Sequence, residues 1–160
     1  MVTSGEPFTW TNPGGVTKIV YEIYGGGGGA CHSAGGGSGA ACMGVLNVAG
    51  VHSISGYLGG GGWGGACNSL GFGQASMFSF PGGGSCYAGG GTMGTGGMAA
   101  WAYGGQINIP GGTTNSITGA GNMRAPSTGD GQGSACGGGG GHSSPWGDAG
   151  GAGCVIFWEY

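Results

Sequence analysis

Six cysteines, three histidines and five carboxylates are the groups in this chain that could do chemistry. A zinc centre would need Cys and His at ligand spacing, and no Cys-x-x-Cys pair occurs. His52 alternates within a strand-like stretch, while His32 and His142 border glycine runs. All three read as exposed or locally hydrogen-bonded side chains. Glu6, Glu22, Asp130, Asp148 and Glu159 form no sequence-local pair for acid–base work. Asp130 and Asp148 sit among glycines, where Asp is an ordinary turn residue. A phosphate-binding loop needs Gly-Lys-Ser/Thr, and the one lysine, Lys18, lies in an apolar run instead. No Gly-x-Ser-x-Gly nucleophile elbow occurs. The residue set predicts no enzyme, no bound metal and no cofactor.

The cysteines are Cys31, Cys42, Cys67, Cys86, Cys136 and Cys154, and each follows a small residue. Free Cys packs as a small hydrophobe. The first residues carry neither a cationic nor an apolar segment, so no secretory leader is expected. Reduced thiols acting as small core filler are therefore expected, with one or more disulfides, up to the three that an even count allows, as the alternative.

Binding chemistry is better supported. Trp63, Phe72, Trp101, Tyr103 and Trp146 stand near glycine-rich turns. Aromatics on loops beside a rigid scaffold are typical contact residues, suited to sugars or protein loops. The alternative is that they cover a glycine core. Two cations in the whole chain cannot neutralise a run of phosphates, so nucleic-acid binding is not expected. A polybasic membrane anchor is absent, and no apolar stretch approaches the roughly 20 residues of a membrane helix.

What must position these residues is a chain in which 50 of 160 positions are glycine. Each glycine costs roughly 0.5–1 kcal/mol to order relative to alanine. Disordered chains are usually charged and poor in aromatics, whereas this one is 4% charged and 10% aromatic. The composition points to one ordered, glycine-dependent domain over residues 1–160. Helix is disfavoured by glycine in its interior, so the readable elements are strands. Residues 8–10 form a short one, closed by the turn sequence Asn12-Pro13-Gly14-Gly15. Residues 16–24 follow, with Ile19, Tyr21 and Ile23 on one face and Lys18, Val20, Glu22 and Tyr24 on the other. Residues 44–48 and 51–58 read as a hairpin joined by Ala49 and Gly50. Residues 77–80, 98–103 and 106–109 read as short strands, the first two as sheet edges. Residues 154–160 are apolar on both faces, which fits a central strand beside 16–24. Pairing the two ends would tie off a glycine-rich body over 25–153.

The glycine runs at 25–29, 59–62 and 137–141 break both the collagen repeat and silk-like alternation. They suit polyproline-II-like segments, which lack internal hydrogen bonds and must bond to their neighbours. Ordinary glycine loops on a β-sandwich are the alternative. The expected class is all-β: a short-stranded sandwich closed by the N- and C-terminal strands, with such segments between and little or no helix.

The opening, Phe8-Thr-Trp10 followed by a Pro/Gly turn, a β-rich run and polyglycine at 25–29, resembles the glycine-rich domain of bacteriophage tail fibres and adhesins. The ending, Gly150-Gly-Ala-Gly-Cys-Val-Ile-Phe-Trp-Glu-Tyr160, is similar to that family's closing strand, and residues 45–65 to its internal hairpin and second glycine run. The resemblance implies a non-enzymatic virion protein at a tail or fibre tip, made in the host cytoplasm. It implies a homo-oligomer, a trimer above all. Its partners would be other tail proteins and a host-surface glycan or outer-membrane protein. An ice-binding polyglycine bundle is a second reading, weakened by the irregular spacing of Thr92, Thr95, Thr113, Thr114 and Thr118. A self-assembling fibril protein is a third.

Overall fold

The computed structural model describes residues 2–3, 6–31, 35–65, 71–93, 100–112, 136–139 and 147–160. Its strands are β1 Val2–Thr3, β2 Pro7–Thr11, β3 Lys18–Tyr24, β4 Ala41–Asn47, β5 Ser53–Tyr57, β6 Ser76–Ser79, β7 Ser85–Ala88, β8 Ala102–Tyr103, β9 Ile107–Ile109 and β10 Cys154–Glu159. They form two five-stranded sheets, which we call A (β1-β10-β3-β4-β9) and B (β2-β5-β6-β7-β8). Every pairing in both is antiparallel. The fold is all-β and sandwich-like, and the chain ends meet as expected, with Cys154 to Glu159 of β10 opposite Tyr24 to Ile19 of β3.

Period-two alternation decides what lies between the sheets. Ile19, Tyr21 and Ile23 of β3 are buried inward, with Phe8 and Trp10 from β2, Ile54 from β5 and Phe78 from β6. Phe78 meets Tyr21 edge-on at 5.1 Å and Phe157 at 6.0 Å, the tilted geometry that opposes ring edge to ring face. The Trp10 indole N–H donates to Glu159 Oε1 at 2.7 Å, joining β2 of one sheet to β10 of the other.

Four sequence expectations need correction. Residues 44–48 and 51–58 are not a hairpin: β4 pairs with β3 and β9, and β5 with β2 and β6. The Ala49–Gly50 turn is a corner that carries the chain between sheets. Gly50 adopts φ +74 there, Val48 is buried, and Val51 packs against the same core. The 77–80 strand is not an edge, because β6 lies between β5 and β7. β1 and β7 were not anticipated. Cys67 lies outside the described residues, and the other five cysteines are not free: Cys42–Cys86 bridges β4 to β7, Cys136–Cys154 bridges residue 136 to β10, and Cys31 is also disulfide-bonded. They are small and buried as expected, but oxidised, which a reading of packing alone could not reveal.

The glycine body continues the strands. Residues 25–30 extend β3, and their N–H groups donate in a repeating cycle of three. Gly25 and Gly28 donate to Ala40 and Gly37, Gly26 and Gly29 to Gln74 and Gly71, and Gly27 and Ala30 to Gly151 and Asp148. All six bonds are 2.8–3.0 Å. A three-residue turn with no internal hydrogen bonds is the polyproline-II pattern. The remaining three directions are taken by residues 89–93, 59–65 and 136–139. Residues 25–30 are thus the axis of a bundle with six neighbours. A Cβ on any of Gly25, Gly26, Gly27, Gly28 or Gly29 would overlap a neighbour's carbonyl oxygen, so the five-glycine run is a packing requirement. The glycine hydrogens in those positions point at carbonyls, the geometry of Cα–H···O contacts. Where bundle meets sandwich, buried Ser76 and Ser38 accept the N–H groups of Gly59 and Gly112 through their side-chain oxygens.

Candidate functional site

Because residues opposite one another in register share a face, the pairings across sheet B define one continuous outward row. Pro7 stands opposite Tyr57, Tyr57 opposite Met77, Met77 opposite Tyr87, and Tyr87 opposite Tyr103. The row ends in a ring stack: Tyr87 and Tyr103 lie 4.7 Å apart at an interplanar angle of 13°. Tyr103 belongs to the last strand of the sheet and is 57% exposed. Tyr57 and Met77 are exposed as well. The Tyr57 hydroxyl donates to Gln74 Oε1 at 3.3 Å. Beside the row lie hydroxyls, with Thr9 opposite Ser55 and Ser79 opposite Ser85. Thr9 and Ser55 share a hydrogen bond of 3.2 Å. None of the residues that the strands place on this face is ionisable at neutral pH.

Of the five aromatics singled out in the sequence, two join this face. Trp101 is 73% exposed. Ala102 packs against the core, so alternation turns Trp101 and Tyr103 outward together. Trp63 and Phe72 belong to the bundle. In the segment 59–65, Gly59 and Gly62 face residues 71–74, and Gly61 and Gly64 face residues 147–150. The third row of a three-residue turn is left to Gly60 and Trp63, and Trp63 is 71% exposed. Phe72 is exposed between Gly71 and Gly73 on the adjoining segment. No ring contact joins Trp63 or Phe72 to the Tyr87–Tyr103 stack. Trp146 lies outside the described residues.

Tyr57, Met77 and Tyr87 escaped the sequence reading because they lie within strands rather than beside turns. Alternation in Ser53-Ile54-Ser55-Gly56-Tyr57 marks Tyr57 as outward once Ile54 is known to be buried. Only the register puts it next to Met77.

The other candidate groups do not gather. Among the described residues no three His, Cys, Asp or Glu side chains stand where they could hold a metal ion. His52 is exposed at the start of β5, its carbonyl accepting the Asn12 N–H. His32, His142 and Asp130 lie outside the described residues. The clearest displaced titration is structural: burial pushes the Tyr21 hydroxyl above its ordinary pKa, partly offset by a hydrogen bond from the Gln106 backbone N–H. No family model and no curated protein matches this chain.

Proposed function

We propose that this chain is a non-enzymatic adhesin of a bacteriophage tail, located at a fibre or fibre tip and binding the host surface. One observation carries the reading: Trp101 and Tyr103, turned outward together at the edge of sheet B, are each more than half exposed on a scaffold held by disulfides and backbone packing. Large exposed apolar groups clustered on a rigid frame mark interaction surfaces. The resemblance of the two chain ends to tail-fibre glycine-rich domains supplies the biological setting. The ice-binding alternative needs a regular array of exposed Thr, and Thr92 is buried.

The same reading includes a homotrimer. Sheet A offers the surface for it: Trp158 stands opposite Val20, and Val20 opposite Val45, in an outward apolar row. Assembly there leaves sheet B uncovered. Native mass spectrometry is expected to give three times 15.1 kDa; a stable monomer at nanomolar concentration removes the trimer. Fluorescently labelled protein is expected to adsorb to a subset of a panel of bacterial strains, and antibodies against it to decorate virion tails in micrographs. Absence from virions together with no adsorption overturns the proposal.

A further inference from the structure

We infer that the outer face of sheet B is a binding site for a neutral glycan, with a pyranose ring stacked on the open side of Tyr103. The inference rests on the adhesin reading and names its ligand class. Tyr87 covers one side of the Tyr103 ring at 4.7 Å. β8 is the terminal strand of its sheet, so the other side of the ring carries the exposure. The stack holds the ring in place before any ligand arrives, and a pre-organised aromatic loses little freedom on binding. An aromatic face is the negative pole of its quadrupole. The polarised C–H groups on one side of a pyranose are its natural complement, whereas an aliphatic protein side chain gains only dispersion there.

The rest of the face distinguishes a sugar from other ligands. Hydroxyls run beside the aromatic row, so a ligand alternating C–H and O–H groups satisfies both strips. A purely apolar protein surface would leave Thr9, Ser55, Ser79 and Ser85 without new partners, at a desolvation cost. Lys18 and Glu22 lie on the opposite sheet, on the outward side of β3. An uncharged surface offers nothing to sulfated, phosphorylated or uronic-acid polymers, and neutral saccharides remain.

Isothermal titration of the whole protein with neutral hexasaccharides of glucose, mannose and galactose tests the site. At least one is expected to bind, with affinity nearly unchanged between about 50 and about 500 mM salt, because no charge is neutralised. Tyr103→Ala should weaken binding roughly tenfold, the scale of one aromatic stacking contact, and Tyr103→Phe should preserve it. Tyr103→Leu keeps apolar bulk at the edge strand without the ring and should also lose binding, so a folding failure of the alanine variant leaves the test intact. Ile107→Ala, exposed on β9 of sheet A, should bind as the parent does. Failure of every hexasaccharide to bind, or unchanged binding by Tyr103→Leu, overturns the inference.

Adsorption to cells is scored separately. Adsorption that survives Tyr103→Leu and periodate oxidation of the cells but not protease treatment points to a protein receptor: the adhesin reading stands and the glycan site falls. No adsorption by the parent protein, together with its absence from virions, removes the adhesin reading, while the titrations still decide the site.

Discussion

A methyl group on Gly27 would overlap the Gly138 carbonyl oxygen, and backbone cannot swing aside as a flexible side chain can. Gly27→Ala is therefore expected to cost more than about 4 kcal/mol, the range reserved for severe packing failures. Gly14 is the contrast: it adopts φ +99 with nothing near its missing Cβ. Gly14→Ala should cost only the left-handed backbone penalty of about 1–2 kcal/mol. Urea unfolding midpoints of the two variants test the difference. Tyr21 carries a second residue-scale prediction. Its folded pKa is raised, so the neutral phenol is the favoured folded form. The stabilisation is fully present below the ordinary value of about 10 and is lost as pH rises through the higher folded value. Unfolding midpoints followed from neutral to strongly alkaline pH should fall less steeply for Tyr21→Phe than for the parent. At this scale the sequence singled out Trp101, Tyr103 and Trp63 only by their place near glycine-rich turns, with contact and core-covering roles both open; the structure exposes all three. The sequence could not show that Tyr103 stacks on Tyr87, because a ring contact depends on which strands are neighbours.

Two disulfides lie within the buried core clusters and join segments distant in sequence. Cys42–Cys86 closes a separation of 44 residues and ties sheet A to sheet B, and Cys136–Cys154 closes 18. In the chain-entropy account these correspond to about 4 and about 3 kcal/mol. Cys136 also takes a positive φ of 62, a conformation a non-glycine residue holds only when its surroundings fix it. Paired Cys→Ala replacements should lower stability in that order, and a reductant should lower the thermal midpoint of the parent but have less effect on the Cys42→Ala/Cys86→Ala protein. β3 and β10 were readable as strands because β-branched and aromatic residues fill both faces, and their pairing followed from both being central. β7 was not, because Ser85-Cys-Tyr-Ala88 carries one large side chain and follows three glycines. The β4–β5 corner read as a hairpin for a related reason. A two-residue turn between two apolar runs looks the same whether the chain folds back within a sheet or crosses to the next one.

The molecule joins two cores of opposite chemistry. The sandwich interior is packed aromatic and aliphatic side chain; the bundle interior is peptide group against peptide group. Among the described residues every segment of the bundle except 136–139 continues into or out of a strand, so the sandwich sets the spacing and the bundle inherits it. That division explains how a chain so rich in glycine can present aromatics at fixed positions. It also has a calorimetric consequence. Exposing apolar surface raises heat capacity on unfolding, and exposing amide surface lowers it. An ordinary domain gains about 12–15 cal/mol/K per residue. Here the bundle contributes little or with opposite sign, so scanning calorimetry should return roughly half that per-residue value. An ordinary value would mean that side-chain burial dominates after all. A small heat-capacity change flattens the dependence of folding free energy on temperature, so the protein should resist cold as well as heat and hold its shape across a wide range of climates.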